Sequence, residues 1–227
     1  MPWLITDIDG TITDADGRLH LPAVEGIQRL EKAGVLVGLI SGRPYSIVRM
    51  LGEYLGLSGP LIAENGGVGF FCGHHFVIGS RRAADEAVEA LRGLIPLEPT
   101  WDNQCRQTDY ALDGGVNVEE LKRLLIEKCI QAELQVSSIM VHLAKKGVTK
   151  RAGLEYCLKM AGVTTDEVVV AGDSDSDISL FEGFQASLAP ANCTEGVRRL
   201  AHYRADLAFG EGFCEGIEYF RRMGKLP

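Results

Sequence analysis

The sequence predicts an α/β protein with a doubly wound parallel sheet, into which a smaller α+β unit is inserted. Short apolar runs rich in β-branched residues alternate with helical patterns, as in proteins whose parallel strands are buried on both faces. The order of elements changes in the middle of the chain, which indicates the insertion. Polar residues follow the apolar runs directly, and ligands of such sheets bind outside the carboxyl ends of the strands.

The parallel sheet is predicted from four runs: Trp3–Thr6, Val35–Ile40, Leu61–Ala63 and Val168–Ala171. Between the first two runs, Ala23–Lys32 repeats apolar residues at helical spacing and stops before Gly34. Before the last run, a second helical stripe is formed by Leu154, Cys157, Leu158 and Ala161, and Gly162 closes it. This alternation of strand and helix predicts the doubly wound arrangement.

The middle of the chain has a different pattern. After a predicted hairpin of Val68–Phe71 with Phe76–Ile78, the expected order is helix, strand, helix, strand. These four elements are Arg82–Leu94, Gln107–Leu112, Val118–Ala132 and Leu134–Ala144. We therefore predict a core domain formed by residues 1–81 and 148–227, and an inserted α+β domain of residues 82–147.

Composition and charge restrict the function. The chain has 227 residues, of which 46% are hydrophobic and 24% charged, and a formal net charge of -8. An acidic balance argues against nucleic-acid and anionic-membrane partners, although a local metal ion would still allow a small anionic substrate. No apolar run approaches the roughly 18 residues of a membrane span, and the start lacks the pattern of a signal peptide. A cytoplasmic protein is expected, and its six scattered cysteines are expected to be buried, reduced thiols.

The first strand ends in two acids, Asp7 and Asp9, followed by Gly10 and Thr11. On an extended segment these two side chains point to the same side, and like charges this close repel. A divalent cation would relieve the repulsion. One carboxylate could then serve as a nucleophile and the other as a general acid and base. The alternative is a turn with two solvated acids.

A second acidic segment follows the last predicted strand. Asp173 and Asp177 are four residues apart, and in a loop that leads into a helix they can face one way as oxygen ligands for Mg²⁺. The alternative is an acidic helix start, which favours the helix dipole. A calcium loop is disfavoured, because residues 178–181 lack the glycine and the distal glutamate that such a loop needs.

Three further sites complete the set of candidates. Ser41, Gly42 and Arg43 follow a strand and open a helix, which suits a phosphate or a plain helix cap. Asn65 precedes a glycine, so it indicates a hairpin turn or an amide offered to the substrate. Lys150 begins a helix, where its charge opposes the dipole; it could neutralise a carboxylate and a phosphoryl group, or belong to a solvated basic loop.

Taken in order, these motifs resemble those of the haloacid dehalogenase superfamily of phosphohydrolases. The resemblance spans nearly the whole chain and implies a Rossmann-like core with a cap of the C2B type. Its motifs are Asp7–Thr11, Ser41–Arg43, Lys150 and Asp173–Asp177. Ser176 stands where the family often has asparagine, which leaves both acids of that motif intact.

The resemblance also implies roles. Asp7 would become an aspartyl-phosphate, and Asp9 would move the protons. Mg²⁺ would be held by Asp7, the carbonyl of Asp9, Asp173 and Asp177. Ser41 and Lys150 would bind the phosphoryl oxygens. The expected partner is a small phosphorylated metabolite, and the expected assembly is a monomer or homodimer.

Within the superfamily the chain is most similar to archaeal-type phosphoglycolate phosphatases, on the residues Arg106, Thr108–Leu112 and Pro190–Asn192. Phosphatases of sucrose phosphate and of mannosyl-3-phosphoglycerate share the architecture and remain alternatives. A phosphomutase and a metal-dependent binding module are also alternatives. For the carboxylate of phosphoglycolate, Arg106 or His142 near the predicted cap strands, or Arg43 from the core, is expected to supply the partner.

Overall fold

The computed structural model describes residues 1–137 and 139–227. Within them the strands are β1 Trp3–Thr6, β2 Leu36–Ile40, β3 Leu61–Ala63, β4 Val68–Phe71, β5 His74–Val77, β6 Asp109–Asp113, β7 Ala132–Val136, β8 Met140–Lys145, β9 Val168–Ala171, β10 Ala186–Ala189 and β11 Tyr203–Arg204. The helices are α1 Leu21–Lys32, α2 Tyr45–Leu55, α3 Arg81–Leu91, α4 Val118–Glu127, α5 Lys150–Ala161, α6 Ile178–Gly183, α7 Glu195–Leu200 and α8 Phe209–Arg222. The chain therefore mixes helices and strands, as predicted.

The larger sheet has eight strands in the order β11-β10-β9-β1-β2-β3-β4-β5. The six strands from β11 to β3 run parallel, and β4 and β5 form an antiparallel edge. In the centre, Thr6 of β1 lies opposite Leu39 of β2 and Ala171 of β9. Because these strands end in register, the residues that follow them meet at one edge of the sheet.

Two apolar layers cover the two faces of this sheet. Along β1, Leu4 packs into one layer, and Trp3 and Ile5 pack into the other, as expected for a strand buried on both sides. Helices α1, α2 and α8 contribute to the first layer, and α5, α6 and α7 to the second. The doubly wound fold predicted from the sequence is confirmed.

A separate three-stranded antiparallel sheet has the order β6-β8-β7. Helices α3 and α4 supply apolar side chains to its core. The predicted single strand Leu134–Ala144 is wrong, since these residues belong to the hairpin of β7 and β8, which the backbone of Ser137 closes by donating to the carbonyl of Met140. The predicted helix from Val118 also ends early, at Glu127, and the chain turns at Cys129 with a φ of +52°. The domain limits at residues 82 and 147 stay a prediction.

Two further expectations concern the surface. Of the six cysteines, only Cys157 is buried, whereas Cys72, Cys105 and Cys129 are exposed, so the prediction of buried thiols is wrong for most of them. All six are free thiols. None of the helices in residues 1–137 and 139–227 combines the length and the apolar character that crossing a membrane requires.

Candidate active site

The polar residues that follow the central parallel strands meet above the carboxyl ends of β1, β2 and β9. They enclose a cavity of about 20 Å³ together with the β7–β8 hairpin of the small sheet. Of the residues predicted from the sequence, the cavity is lined by Asp7, Asp9, Ser41, Gly42, Arg43, His142 and Lys150. Asp177 accepts a hydrogen bond from Lys150, and a carboxylate oxygen of Asp173 lies within 4.8 Å of one of Asp7. The structure thus unites segments up to 170 positions apart in the sequence.

Lys150 lies at the centre of the site. Its ammonium donates to Oδ1 of Asp7 at 2.8 Å and to Oδ1 of Asp177 at 2.7 Å, and its side chain is 2% exposed. It is the first residue of α5, and the hydroxyl of Thr149 caps that helix by accepting from the N–H of Ala152. Burial alone would lower the pKa of Lys150, but the charges of Asp177 and Asp7 raise it. The ammonium therefore stays charged and holds the two carboxylates.

Three buried carboxylates form a cluster that could hold a cation. One oxygen from each of Asp7, Asp173 and Asp177 lies within 4.8 Å of the others. Burial raises the pKa of Asp7 well above its usual range, even though Lys150 opposes the effect, and burial together with Asp177 raises that of Asp173 to about 7. The single ammonium of Lys150 does not balance the charge that three ionised carboxylates would carry. Carboxylate oxygens at this spacing fit Mg²⁺, which neutralises them.

The turn after β1 is built around Asp173. Gly10 has a φ of +80°, and a Cβ at this position would stand 2.2 Å from Oδ2 of Asp173. The hydroxyl of Thr11 donates to Oδ1 of Asp173, and the amide of Asn192 donates to the carbonyl of Gly10. Sequence analysis assigned only a turn to Gly10 and Thr11 and no role to Asn192. Close approach to Asp173 is the physical reason for glycine at position 10.

Asp177 has two sets of partners. Its Oδ1 accepts from Lys150, and its Oδ2 accepts from the backbone N–H groups of Asp173 and Ser174 and from the Ser174 hydroxyl. The carboxylate thus fixes the loop that carries Asp173. The sequence analysis considered an acidic helix start as the alternative to a metal site, and the geometry of Asp177 is compatible with both.

Asp9 faces a cation that the sequence analysis did not assign to it. Both of its oxygens accept from Arg43, from Nε at 2.8 Å and from Nη2 at 2.7 Å. The hydrogen bonds to Asp9 raise the pKa of Arg43. Arg43 leaves β2 through the Ser41–Gly42 loop, and α2 begins two residues later at Tyr45. In this arrangement Asp9 and Arg43 hold each other beside Asp7.

Arg106 is engaged entirely with protein groups. Its guanidinium pairs with Asp102 at 3.0 Å and with Asp109 at 3.1 Å, and Nη1 also donates to the carbonyl of Gly42. Nε donates to Asp102 as well, so all three nitrogens are used, and the side chain is fully buried. Arg106 therefore ties the segment before β6 to the loop after β2.

His142, on β8, has one ring nitrogen in use. Its Nδ1 lies 2.8 Å from Oδ2 of Asp109, whereas Nε2 is buried without a hydrogen-bond partner among the described residues. Asn65 is similar: it is 1% exposed, and both atoms of its amide lack a partner in the part of the chain that the structure describes. Asn65 lies in the turn between β3 and β4, with a φ of +51°.

Glu64 is a residue that sequence reasoning missed. It is fully buried and accepts from the backbone N–H of Gln107, the N–H of Thr108 and the hydroxyl of Thr108. Burial raises its pKa, against the effect of these donors. The available signal was an acid directly after the buried run Leu61–Ala63. Glu64 joins the end of β3 to the segment that leads into β6.

Comparison with known proteins agrees with this geometry. The family described as haloacid dehalogenase-like hydrolase matches residues 4–91 and 116–213. A phosphoglycolate phosphatase of Methanopyrus kandleri is 34% identical over 214 residues, which cover 92% of this chain and 92% of that protein. One of Metallosphaera sedula is 34% identical over 219 residues, with 95% and 96% covered.

Solved structures have the same fold. A Thermoplasma acidophilum protein superposes with a TM-score of 0.87 at 25% identity, over 99% of each chain. A sugar phosphatase described as belonging to subclass IIB superposes with a TM-score of 0.77 at 17% identity, over 99% of this chain and 100% of that one. At that identity the second likeness concerns the fold alone.

Proposed function

Because the chain belongs to the haloacid dehalogenase-like hydrolases, we propose that it is a Mg²⁺-dependent phosphatase of small phosphomonoesters, with 2-phosphoglycolate as the preferred substrate. The observation that carries the proposal is the buried ion pair of Lys150 with Asp7, set beside Asp173 at the carboxyl ends of the central strands. Phosphoryl transfer needs positioning and charge neutralisation, and this cluster offers both. The names of the relatives support the choice of substrate.

In this proposal Asp7 is the nucleophile. Its Oδ1 is held by Lys150, while Oδ2 accepts no hydrogen bond from the described residues and can approach phosphorus. Attack forms an aspartyl-phosphate and breaks the bond to the substrate's alcohol oxygen. A solvated carboxylate is a weak nucleophile. Lys150 orients Asp7 and opposes the rise in its pKa that burial causes, and bound Mg²⁺ would add the positive charge that favours the ionised form.

Asp9 is proposed as the general acid and base. In the protonated form it gives its proton to the departing alkoxide; as a carboxylate it then takes a proton from the water that attacks the aspartyl-phosphate. That second attack releases inorganic phosphate and restores Asp7. Arg43 holds both oxygens of Asp9 here, so Asp9 can act only after this bidentate contact opens.

The charge of the phosphoryl group is balanced by groups from three segments. Lys150 uses two donors on carboxylates and has a third N–H for a phosphoryl oxygen. Ser41, Gly42, Arg43 and Asn65 are proposed to contact the other oxygens or the rest of the substrate. Bound Mg²⁺ would add charge neutralisation, held by Asp7, the carbonyl of Asp9, Asp173 and, where its other bonds allow, Asp177.

The small sheet is proposed to act as a cap, with residues 82–147 as its extent. The cavity of about 20 Å³ has room for about one water molecule, which is much less than a phosphate ester needs. In this proposal the β7–β8 hairpin, whose Met140 and His142 line the cavity, moves away from the core to admit the substrate. Closure then excludes bulk water from the aspartyl-phosphate, apart from the reacting molecule.

The test is phosphate release with Mg²⁺ from 2-phosphoglycolate, erythrose 4-phosphate, sucrose 6-phosphate and mannosyl-3-phosphoglycerate. The wild type should favour 2-phosphoglycolate, and Asp7→Asn should lose turnover on every ester while it still folds. Asp16→Asn is the matched control, because it removes an exposed acid of the same loop. A preference for a sugar phosphate would support that alternative, and a bisphosphate requirement with little phosphate release would indicate a mutase. Full activity of Asp7→Asn would refute the proposal.

A further inference from the structure

Among the residues that the structure describes, several buried polar atoms without hydrogen-bond partners lie where the small sheet meets the large one. They are Nε2 of His142 and both amide atoms of Asn65. His142 is fully buried and Asn65 is 1% exposed, so bulk water does not reach them. Buried polar groups in folded proteins are nearly always hydrogen-bonded, so these atoms are available to a bound molecule. We refer to His142 and Asn65 as the seam pair.

The seam pair lies next to the phosphoryl site. A Cβ on Gly42 would stand 3.1 Å from Nε2 of His142 and 3.2 Å from each amide atom of Asn65. A side chain on Gly42 would therefore crowd both members of the pair, and glycine lets both approach the loop after β2. Gly42 and His142 line the same cavity as Asp7 and Lys150, so a ligand there adjoins a phosphoryl group bound by Lys150.

The partners of His142 determine which chemistry it presents. Asp109 accepts at Nδ1, and Asp109 also pairs with Arg106, which pairs in turn with Asp102. One guanidinium and two carboxylates leave one negative charge in the buried cluster beside His142. With Nδ1–H directed to Asp109, a proton on Nε2 would face the cavity. With that proton in place, the seam pair offers a cationic donor and an amide donor, a set suited to an anion.

We propose that the seam pair binds the carboxylate of the substrate and so selects small phosphate esters that carry a second anion close to the phosphate. This inference rests on the phosphatase function proposed above, and it names the residues that determine substrate specificity. Arg106 and Asp109 are positioning residues, which orient His142. Of the three cations considered for this role, Arg106 is used by protein groups, whereas Nε2 of His142 lies at the cavity without a partner among the described residues. Arg43 lies beside Asp9 and, once released from it, is assigned to the phosphoryl oxygens.

The main variant is His142→Asn, which keeps an amide nitrogen near the position of Nδ1 for Asp109 and removes the atom at Nε2. The substrates are 2-phosphoglycolate and ethylene glycol phosphate, in which a hydroxymethyl group replaces the carboxylate. KM for 2-phosphoglycolate should rise about 10- to 100-fold, the range of a lost charge-assisted hydrogen bond. KM for ethylene glycol phosphate should rise less than about threefold, with kcat retained for both. His74→Asn, on an exposed strand, is the control.

A binding measurement separates this inference from the catalytic proposal. Calorimetry of the Asp7→Asn protein with Mg²⁺ gives the affinity for both esters without turnover, and adding His142→Asn should weaken 2-phosphoglycolate selectively. Asn65→Asp, which adds a negative charge at nearly constant shape, gives a second variant with the same expected selectivity. If the wild type hydrolyses no ester, the phosphatase proposal fails. Calorimetry still shows whether the seam pair binds the carboxylate. Equal weakening of both esters, or no change for either, overturns the seam pair.

Discussion

The acidic cluster should make the metal-free protein less stable as pH rises. Asp173 is 3% exposed, and burial, with Asp177 beside it, raises its pKa from 3.8 to about 7. In the unfolded chain the same carboxyl titrates near its ordinary value. Between these two pH values the folded protein holds a proton that the unfolded chain has released.

The sign follows from proton linkage. Where the folded state binds more protons than the unfolded state, the free energy of unfolding falls as pH rises. The contribution of Asp173 is therefore fully present below about pH 4 and is lost as pH rises through about 7. A pKa change from 3.8 to about 7 corresponds to about 4 kcal/mol over this window. Asp7, whose pKa burial also raises, acts in the same direction.

The assay is urea unfolding at pH 5, 6, 7 and 8, in EDTA and in Mg²⁺. In EDTA the free energy of unfolding should fall by a few kcal/mol from pH 5 to pH 8. Mg²⁺ should restore stability most at pH 8, because it binds the ionised cluster. Asp173→Asn should reduce the dependence on pH, of which Asp7 retains a part, and abolish the response to Mg²⁺. Asp16→Asn, at an exposed position, should retain both.

Two results would refute this reasoning. If wild-type stability in EDTA rises steadily from pH 5 to pH 8, Asp173 is not held protonated by burial. If Asp173→Asn responds to Mg²⁺ as strongly as the wild type, the cation binds elsewhere.

The remaining predictions concern three positions, and urea unfolding measures all of them. Arg106→Met should cost about 3–5 kcal/mol, because it leaves two buried carboxylates without their cation; a loss below about 1 kcal/mol would contradict the buried network. Glu64→Gln should cost about 1–3 kcal/mol, since an amide nitrogen in place of Oε1 faces the backbone N–H groups of Gln107 and Tyr45; unchanged stability would contradict this. Gly10→Ala should abolish the response to Mg²⁺, whereas Gly17→Ala, with a similar φ and an open environment, should keep it; equal responses would argue against the close approach to Asp173.

Four strands of the parallel sheet could be predicted because each carries its own signal. Trp3–Thr6 and Val168–Ala171 are short apolar runs bounded by acids and turn residues, and β1 and β9 have these limits in the structure. The rule that strand ends share one edge then brought Asp7 and Asp173 together without coordinates. Lys150 was singled out by the mismatch of a lysine at a helix start, and the structure pairs it with Asp7.

The small sheet was harder to predict because its turn is weakly marked. Leu134–Ala144 contains no glycine, proline or asparagine, so two short strands looked like one. The C-terminal elements were missed for a related reason: β10 is a short run of small residues, and its burial depends on α8 packing over it. Local patterns do not carry such information, because it arises from contacts between distant segments.

Arg106 illustrates why a charged residue near a predicted site is ambiguous in sequence. A lone arginine on the cap was a reasonable candidate for a substrate carboxylate. The acids that use it, Asp102 and Asp109, lie four and three residues away, and their spacing does not show that all three side chains turn inward. Once they do, all three guanidinium nitrogens are hydrogen-bonded to protein groups, and one negative charge is left beside His142. A cation engaged by the protein can therefore act on a ligand only through the histidine that it helps to orient.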